Sequence, residues 1–245
     1  MKSKTELKDF EWQKPEVVPA FVQGKDAEAV YKAISRMNLG WCDYQAETQT
    51  LRGSNPFIAA RIDTLLRPYG IHVANLRDLS KPEVMSMVKD RHYADAPAFI
   101  LRTMDDSYER NLPLIKRIAE EVEKANGKLE LPVIVTGFDV KTLKKDKVGY
   151  GLEIIARDDF SAVHDERLDG KYHGNRFSEV DELGLPKFDS NGSRTWYARQ
   201  RGVSRLCLDG GLDLDSDDGD LAYSGGSGRV VVVSGEATSS KKSSN

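Results

Sequence analysis

The chain has 245 residues, 39% of them hydrophobic and 31% charged, with a formal net charge of −3 and a pI near 5.9. That length admits one large domain or two small ones, each with a real core. The acidic balance argues against a protein built mainly to coat nucleic acid or an anionic membrane. Two cysteines, Cys42 and Cys207, lie far apart and outside any CxxC or Cys/His spacing, which speaks against a disulfide scaffold or a structural zinc.

The opening MKSKTELKDFEWQK is charged and lacks the apolar core of a secretory leader. No apolar run approaches the ~20 residues that span a bilayer. A soluble, cytoplasmic protein with no membrane partner is expected. Residues 1–19 read as a flexible N-terminal segment and 235–245 as a disordered tail, both small, polar and charged. Between them the pattern changes near residue 140, predicting an α/β domain over 20–140 and a β-rich module over 141–234.

From about Asp26, DAEAVYKAISRMN has the spacing of an amphipathic helix. NPFIAARIDTLLRPYG predicts a second helix with Pro56 at its start. GIHVANL reads as a strand, and SKPEVMSMVKDRHY as the helix after it, with Ser80 and Glu83 at capping-box spacing. AFILR (98–102) and LPVIVTGF (131–138) are short apolar runs that suit strands buried on both faces. Between them NLPLIKRIAEEVEKANG carries one apolar stripe, an N-cap candidate in Asn111, Pro113 in the first turn and a stop at Gly127. Strand, helix and strand in that order predict a right-handed crossover and a mostly parallel sheet with covering helices.

Beyond the basic connector KTLKKDK, GYGLEIIARD reads as a strand and RFSEVDELGL as a short helix ended near Pro186. RTWYARQRGVSRLCL and the stretch to Val233 read as antiparallel strands. The alternating pairs Leu206/Leu208, Leu212/Leu214 and Leu221/Tyr223, then Val230 to Val233, predict a four-stranded meander joined by Gly- and Asp-rich turns. The acidic run from Asp213 fails the EF-hand pattern, because Asp218 stands sixth where Gly is needed and Ser224 stands twelfth. Its aspartates are expected to make turns.

Candidate chemistry falls in three places. If the two apolar strands are parallel neighbours, their C-terminal ends bring Thr103, Asp105, Asp106, Thr136 and Asp139 to one edge, where ligands bind open parallel sheets. Three carboxylates there could hold Mg²⁺ or provide one proton-transfer group. HDERLDGKYH groups His164, Asp165, Glu166, Asp169 and His173 within ten residues, a donor set suited to zinc, manganese or iron, although the turn-rich sequence suits a solvated loop better. No metal ligand is assigned. On a strand, Tyr197, Arg199, Arg201 and Arg205 would share one face, an arrangement that suits stacking on bases and contact with phosphates.

No P-loop, GxGxxG, HExxH or GxSxG occurs, so the residues name neither a cofactor nor a reaction. The expected function is binding of a small molecule or macromolecule. The alternatives are a metal-assisted hydrolase or phosphoryl-transfer enzyme built on Asp105, Asp106 and Asp139, and a nucleic-acid accessory protein using the Arg-aromatic face.

Overall fold

The computed structural model describes residues 19–143 and 149–235. In chain order its elements are β1 (Ala20–Phe21), α1 (Lys25–Ile34), β2 (Asp43–Gln45), β3 (Thr50–Arg52), α2 (Pro56–Leu66), β4 (Ile71–Val73), α3 (Leu76–Leu79), α4 (Pro82–Val88), β5 (Ala94–Asp95), β6 (Phe99–Leu101), α5 (Leu112–Asn126), β7 (Val133–Thr142), β8 (Leu152–His164), β9 (Asn175–Val180), β10 (Pro186–Phe188), β11 (Arg194–Ala198), β12 (Val203–Ser204), β13 (Cys207–Leu208), β14 (Leu214–Ser216) and β15 (Val231–Ser234). Connector KTLKKDK falls largely, and both tails almost wholly, outside the described residues.

The helices form where the apolar spacing places them. α2 is capped by Asn55, whose Oδ1 accepts from the Ile58 N–H at 2.9 Å. α5 stops at Gly127, which takes the left-handed conformation at φ 75° that a C-cap requires. Two expected caps differ. Asn111 does not cap α5; it is buried, donating to Asp106 and the Gly219 carbonyl and accepting from the Tyr150 hydroxyl. The capping box forms at Asn75 and Asp78 on α3, and α4 begins without a side-chain cap.

Sheet topology overturns the parallel α/β expectation. Leu101 of β6 lies opposite Val133 of β7 and Phe99 opposite Val135, so the two strands are antiparallel. A helix between strands yields a parallel crossover only when it returns the chain to the far end of the first strand. Here the chain re-enters the sheet at the end it left. β4, expected in the same parallel sheet, pairs antiparallel with β15 in another. Among the described strands, parallel pairing joins β11 to β14.

Those strands form a four-stranded sheet (β12-β6-β7-β8), a six-stranded mixed sheet (β10-β9-β11-β14-β13-β5), a three-stranded sheet (β1-β15-β4) and the β2–β3 hairpin. Strands from both sides of residue 140 meet in each of the three larger sheets. The predicted meander is corrected too. β13 and β14 form its first hairpin, but Leu221 to Tyr223 is not a strand, and β15 lies between β1 and β4. The reason lies in the aspartates. Asp215, Asp218 and Asp220 each accept from a backbone N–H two residues on, and closures of that kind compete with ladder pairing. RFSEVDELGL, read as a helix, instead supplies most of β9, with Phe177 fully buried between exposed Arg176 and Ser178.

Two cores result. Phe57, Phe99, Leu101, Val133, Val135, Phe138 and Val140 belong to the first, with residues of α1, α2 and α5. Ala98, Ile100, Ile134, Trp196, Phe177 and Leu214 belong to the second, so the four-stranded sheet separates them.

Candidate functional site

Alternation along β7 sends Val133 and Val135 into the first core and Ile134 and Thr136 to the other face. Continued regularly, it would put Phe138 beside Ile134 and Thr136. It does not, because the β7–β8 ladder breaks at Gly137. Thr136 pairs with Ser161, but Phe138 pairs with Ala156, so one residue of β7 faces four of β8. Gly137 has φ 71°, and a Cβ there would overlap the Asp159 carbonyl, so the position requires glycine. The bulge reverses the facing of β7. Phe138 and Val140 turn into the first core, stacking Phe138 on Phe99 with ring centroids 4.6 Å apart.

A cleft of about 130 Å³ lies over the face that Phe138 vacates. Its floor is Ala96, Pro97, Ala98, Ile134 and Val163, and Leu76 and Leu183 add apolar walls. Small residues at 96 and 98 leave the space that larger strand residues would fill. Thr136, Asn75 and Ser161 bring polar groups to the same lining.

The bulged residues Arg157 and Asp159 join α2 in a four-membered ion network. Arg157 reaches Asp63 at 2.8 Å and Asp159 at 2.9 Å, while Arg67 reaches Asp63 and Asp159 at 2.8 Å each. Asp63, 1% exposed, also accepts from the Val73 N–H at 2.9 Å. Burial pushes the Asp159 carboxyl up, but hydrogen bonds and charge from Arg157, with the charge of Arg67, outweigh it and hold it below its ordinary value. Burial likewise opposes the charge on Arg157, and the two carboxylates reverse that, raising its pKa. Arg157 and Asp159 are therefore each held in the charged form by the other. Beneath the network, His72 bonds Asp78 at 3.0 Å through Nε2 and the Gly235 carbonyl at 3.0 Å through Nδ1, fixing the end of β15.

Of the five residues predicted to share a strand edge, Thr136 lines this cleft and the others do not. β7 runs on to Thr142, so Thr136 and Asp139 lie within it. Asp139 is paired with Arg61 at 2.7 Å, and its burial raises its pKa against that charge. Asp106 is gripped by both terminal nitrogens of Arg199 at 2.7 and 2.9 Å, with its side chain fully buried. Asp105 makes an exposed pair with Arg201 at 3.1 Å, and the Thr103 hydroxyl accepts from the Gly202 N–H at 2.8 Å. Thr103, Asp105 and Asp106 thus bind the 199–203 turn. Each of the three carboxylates holds an arginine.

Nor do Tyr197, Arg199, Arg201 and Arg205 form one strand face, because β11 ends at Ala198 and a turn follows. Tyr197 is half-buried, edge-on to His173. Arg205 is buried, bidentate to Asp95 at 2.7 Å for both bonds, with the rings of Tyr93 and Tyr223 at 5.0 and 5.8 Å. The residues of HDERLDGKYH also serve locally. Asp165 and Asp169 cap 3-10 turns, His164 bonds the Pro132 carbonyl and His173 the Ala198 backbone. Among the described residues no three His, Cys, Asp or Glu side chains are grouped to hold a metal ion. Likewise, no described helix is long and apolar enough to cross a membrane.

No family model, curated protein or solved structure matches the chain.

Site residues other than Thr136 were not singled out in the sequence. Two signals pointed to them: a glycine inside the apolar run VIVTGF, which marks a bulge, and the charged RDD inside a strand.

Proposed function

We propose that this protein binds a small organic molecule in the cleft between β7–β8, α2 and the 75–77 and 182–183 segments. The observation that carries the reading is the bulge at Gly137, which removes Phe138 from a sheet face and leaves an apolar floor beside fixed polar groups. Bulges are retained where a sheet must re-aim side chains. Binding, rather than metal-assisted hydrolysis, fits the pairing of Asp105, Asp106 and Asp139 with arginines. An enzyme built on those carboxylates would need them unencumbered and converging.

The test is a ligand-observed NMR screen of small organic molecules against the full chain, repeated with Thr136→Phe, which fills the cleft from a half-buried position. Circular dichroism checks that the variant is folded. Hits that Thr136→Phe abolishes support the proposal. A screen with no hits, or hits indifferent to Thr136→Phe in the folded variant, overturns it.

A further inference from the structure

The charged residues that line the cleft fall into two sets. Asp63, Arg67, Arg157 and Asp159 close on one another. Arg77 and Glu182 also line it, both exposed, and among the described residues neither side chain has an ion pair or a hydrogen bond.

Their placement is fixed all the same. The 181–185 turn is seated on the start of α3: Gly184 has φ 84°, and a Cβ there would overlap the backbone of Leu76 and Arg77. Asp181 holds the turn by accepting from the Leu183 and Leu185 N–H groups at 2.9 and 3.0 Å, and Arg167 anchors that carboxylate. One cation and one anion therefore stand at the rim of an apolar floor, neither paired with another described residue of the protein.

We infer that the cleft takes a zwitterion of amino-acid size. Its carboxylate meets Arg77, its ammonium meets Glu182, and its apolar side chain lies on Ala98, Ile134 and Val163. This rests on the cleft being the ligand site. Charge complementarity sets the ligand class: a ligand with one charge would leave the opposite rim group unanswered, and a phosphorylated one would face Glu182. The cleft holds about 130 Å³, slightly less than the roughly 150 Å³ of a cavity that accommodates benzene, so it takes the apolar side chain only and leaves the two charged groups outside, at the rim.

The experiment is isothermal titration of the full chain with L-phenylalanine and with the analogues that each lack one charge, 3-phenylpropionate and phenethylamine. L-phenylalanine is expected to bind best, each analogue weaker by roughly 1.5-fold to fivefold, as for one solvent-exposed charge contact. Arg77→Gln should weaken L-phenylalanine and 3-phenylpropionate but leave phenethylamine unchanged. Glu182→Gln should weaken L-phenylalanine and phenethylamine only. Both positions are exposed, so neither substitution threatens the fold. Equal binding of all three compounds, or L-phenylalanine indifferent to both substitutions, overturns the inference. If L-phenylalanine fails to bind while other molecules bind in a Thr136-dependent way, the zwitterion falls and the ligand site stands. If no binding depends on Thr136, both fall.

Discussion

Asp95→Ala tests the most deeply buried charge pair among the described residues. Asp95 is 0% and Arg205 3% exposed at the side chain, and two bonds of 2.7 Å join them. Burial disfavours the guanidinium charge, but the adjacent carboxylate reverses this and raises the Arg205 pKa, so the arginine stays charged. Removing the carboxylate strands a cation between Tyr93 and Tyr223. Breaking a buried pair from one side costs about 3–5 kcal/mol. Asp218, 3.7 Å from Arg205 and 33% exposed, offers partial compensation, which places the expected loss near the lower end, about 3 kcal/mol. That is a large part of the roughly 5–15 kcal/mol that stabilises a typical domain. The double variant Asp95→Leu with Arg205→Met removes both charges and should recover at least half of the loss. Urea unfolding followed by tryptophan fluorescence measures both, because Trp196 is fully buried in the same six-stranded sheet. A loss below about 1 kcal/mol for Asp95→Ala, or a double variant no better than the single, would refute the reasoning.

Asp215 lies half-buried on β14; burial, then the charge and hydrogen bond of Asp217, raise its pKa from 3.8 to about 7. Its folded state holds a proton that the unfolded chain releases near pH 4, so its contribution to stability falls as pH rises between those values; Asp215→Asn should gain about 1–2 kcal/mol over the parent at pH 8 and nothing at pH 4, read from urea midpoints. Gly137→Ala should cost more than about 3 kcal/mol, since it combines a left-handed backbone with overlap on the Asp159 carbonyl; a Tm within a few degrees of the parent would contradict the bulge geometry. Asn55→Ala removes the α2 cap together with donors to the Leu39 and Ala222 carbonyls, and should cost about 2–3 kcal/mol by thermal unfolding.

What the sequence made legible was local. α2 and α5 could be read because an apolar stripe and a proline in the first turn act within a few residues, and α5 adds a glycine stop. The β13–β14 hairpin was legible for the same reason, through Asp209, Gly210 and Gly211. Pairing direction was not, because it depends on where the chain re-enters the sheet after α5. The Asp106–Arg199 pair spans 93 positions and the Asp95–Arg205 pair 110, distances over which composition carries no signal. These arginines looked like a ligand face in one dimension and serve as internal counter-ions in three. The cleft draws on six separate stretches, and within it only Thr136 was named in advance.

The cavity owes its existence to phase as much as to side-chain size. Straightening β7 at Gly137, with no residue added or removed, would return Phe138 to the face of Ile134 and Thr136 and exchange core-facing and cleft-facing side chains along the rest of the strand. A descendant of this chain could therefore fill or empty the space through the backbone conformation of residue 137 alone, with every flanking residue unchanged.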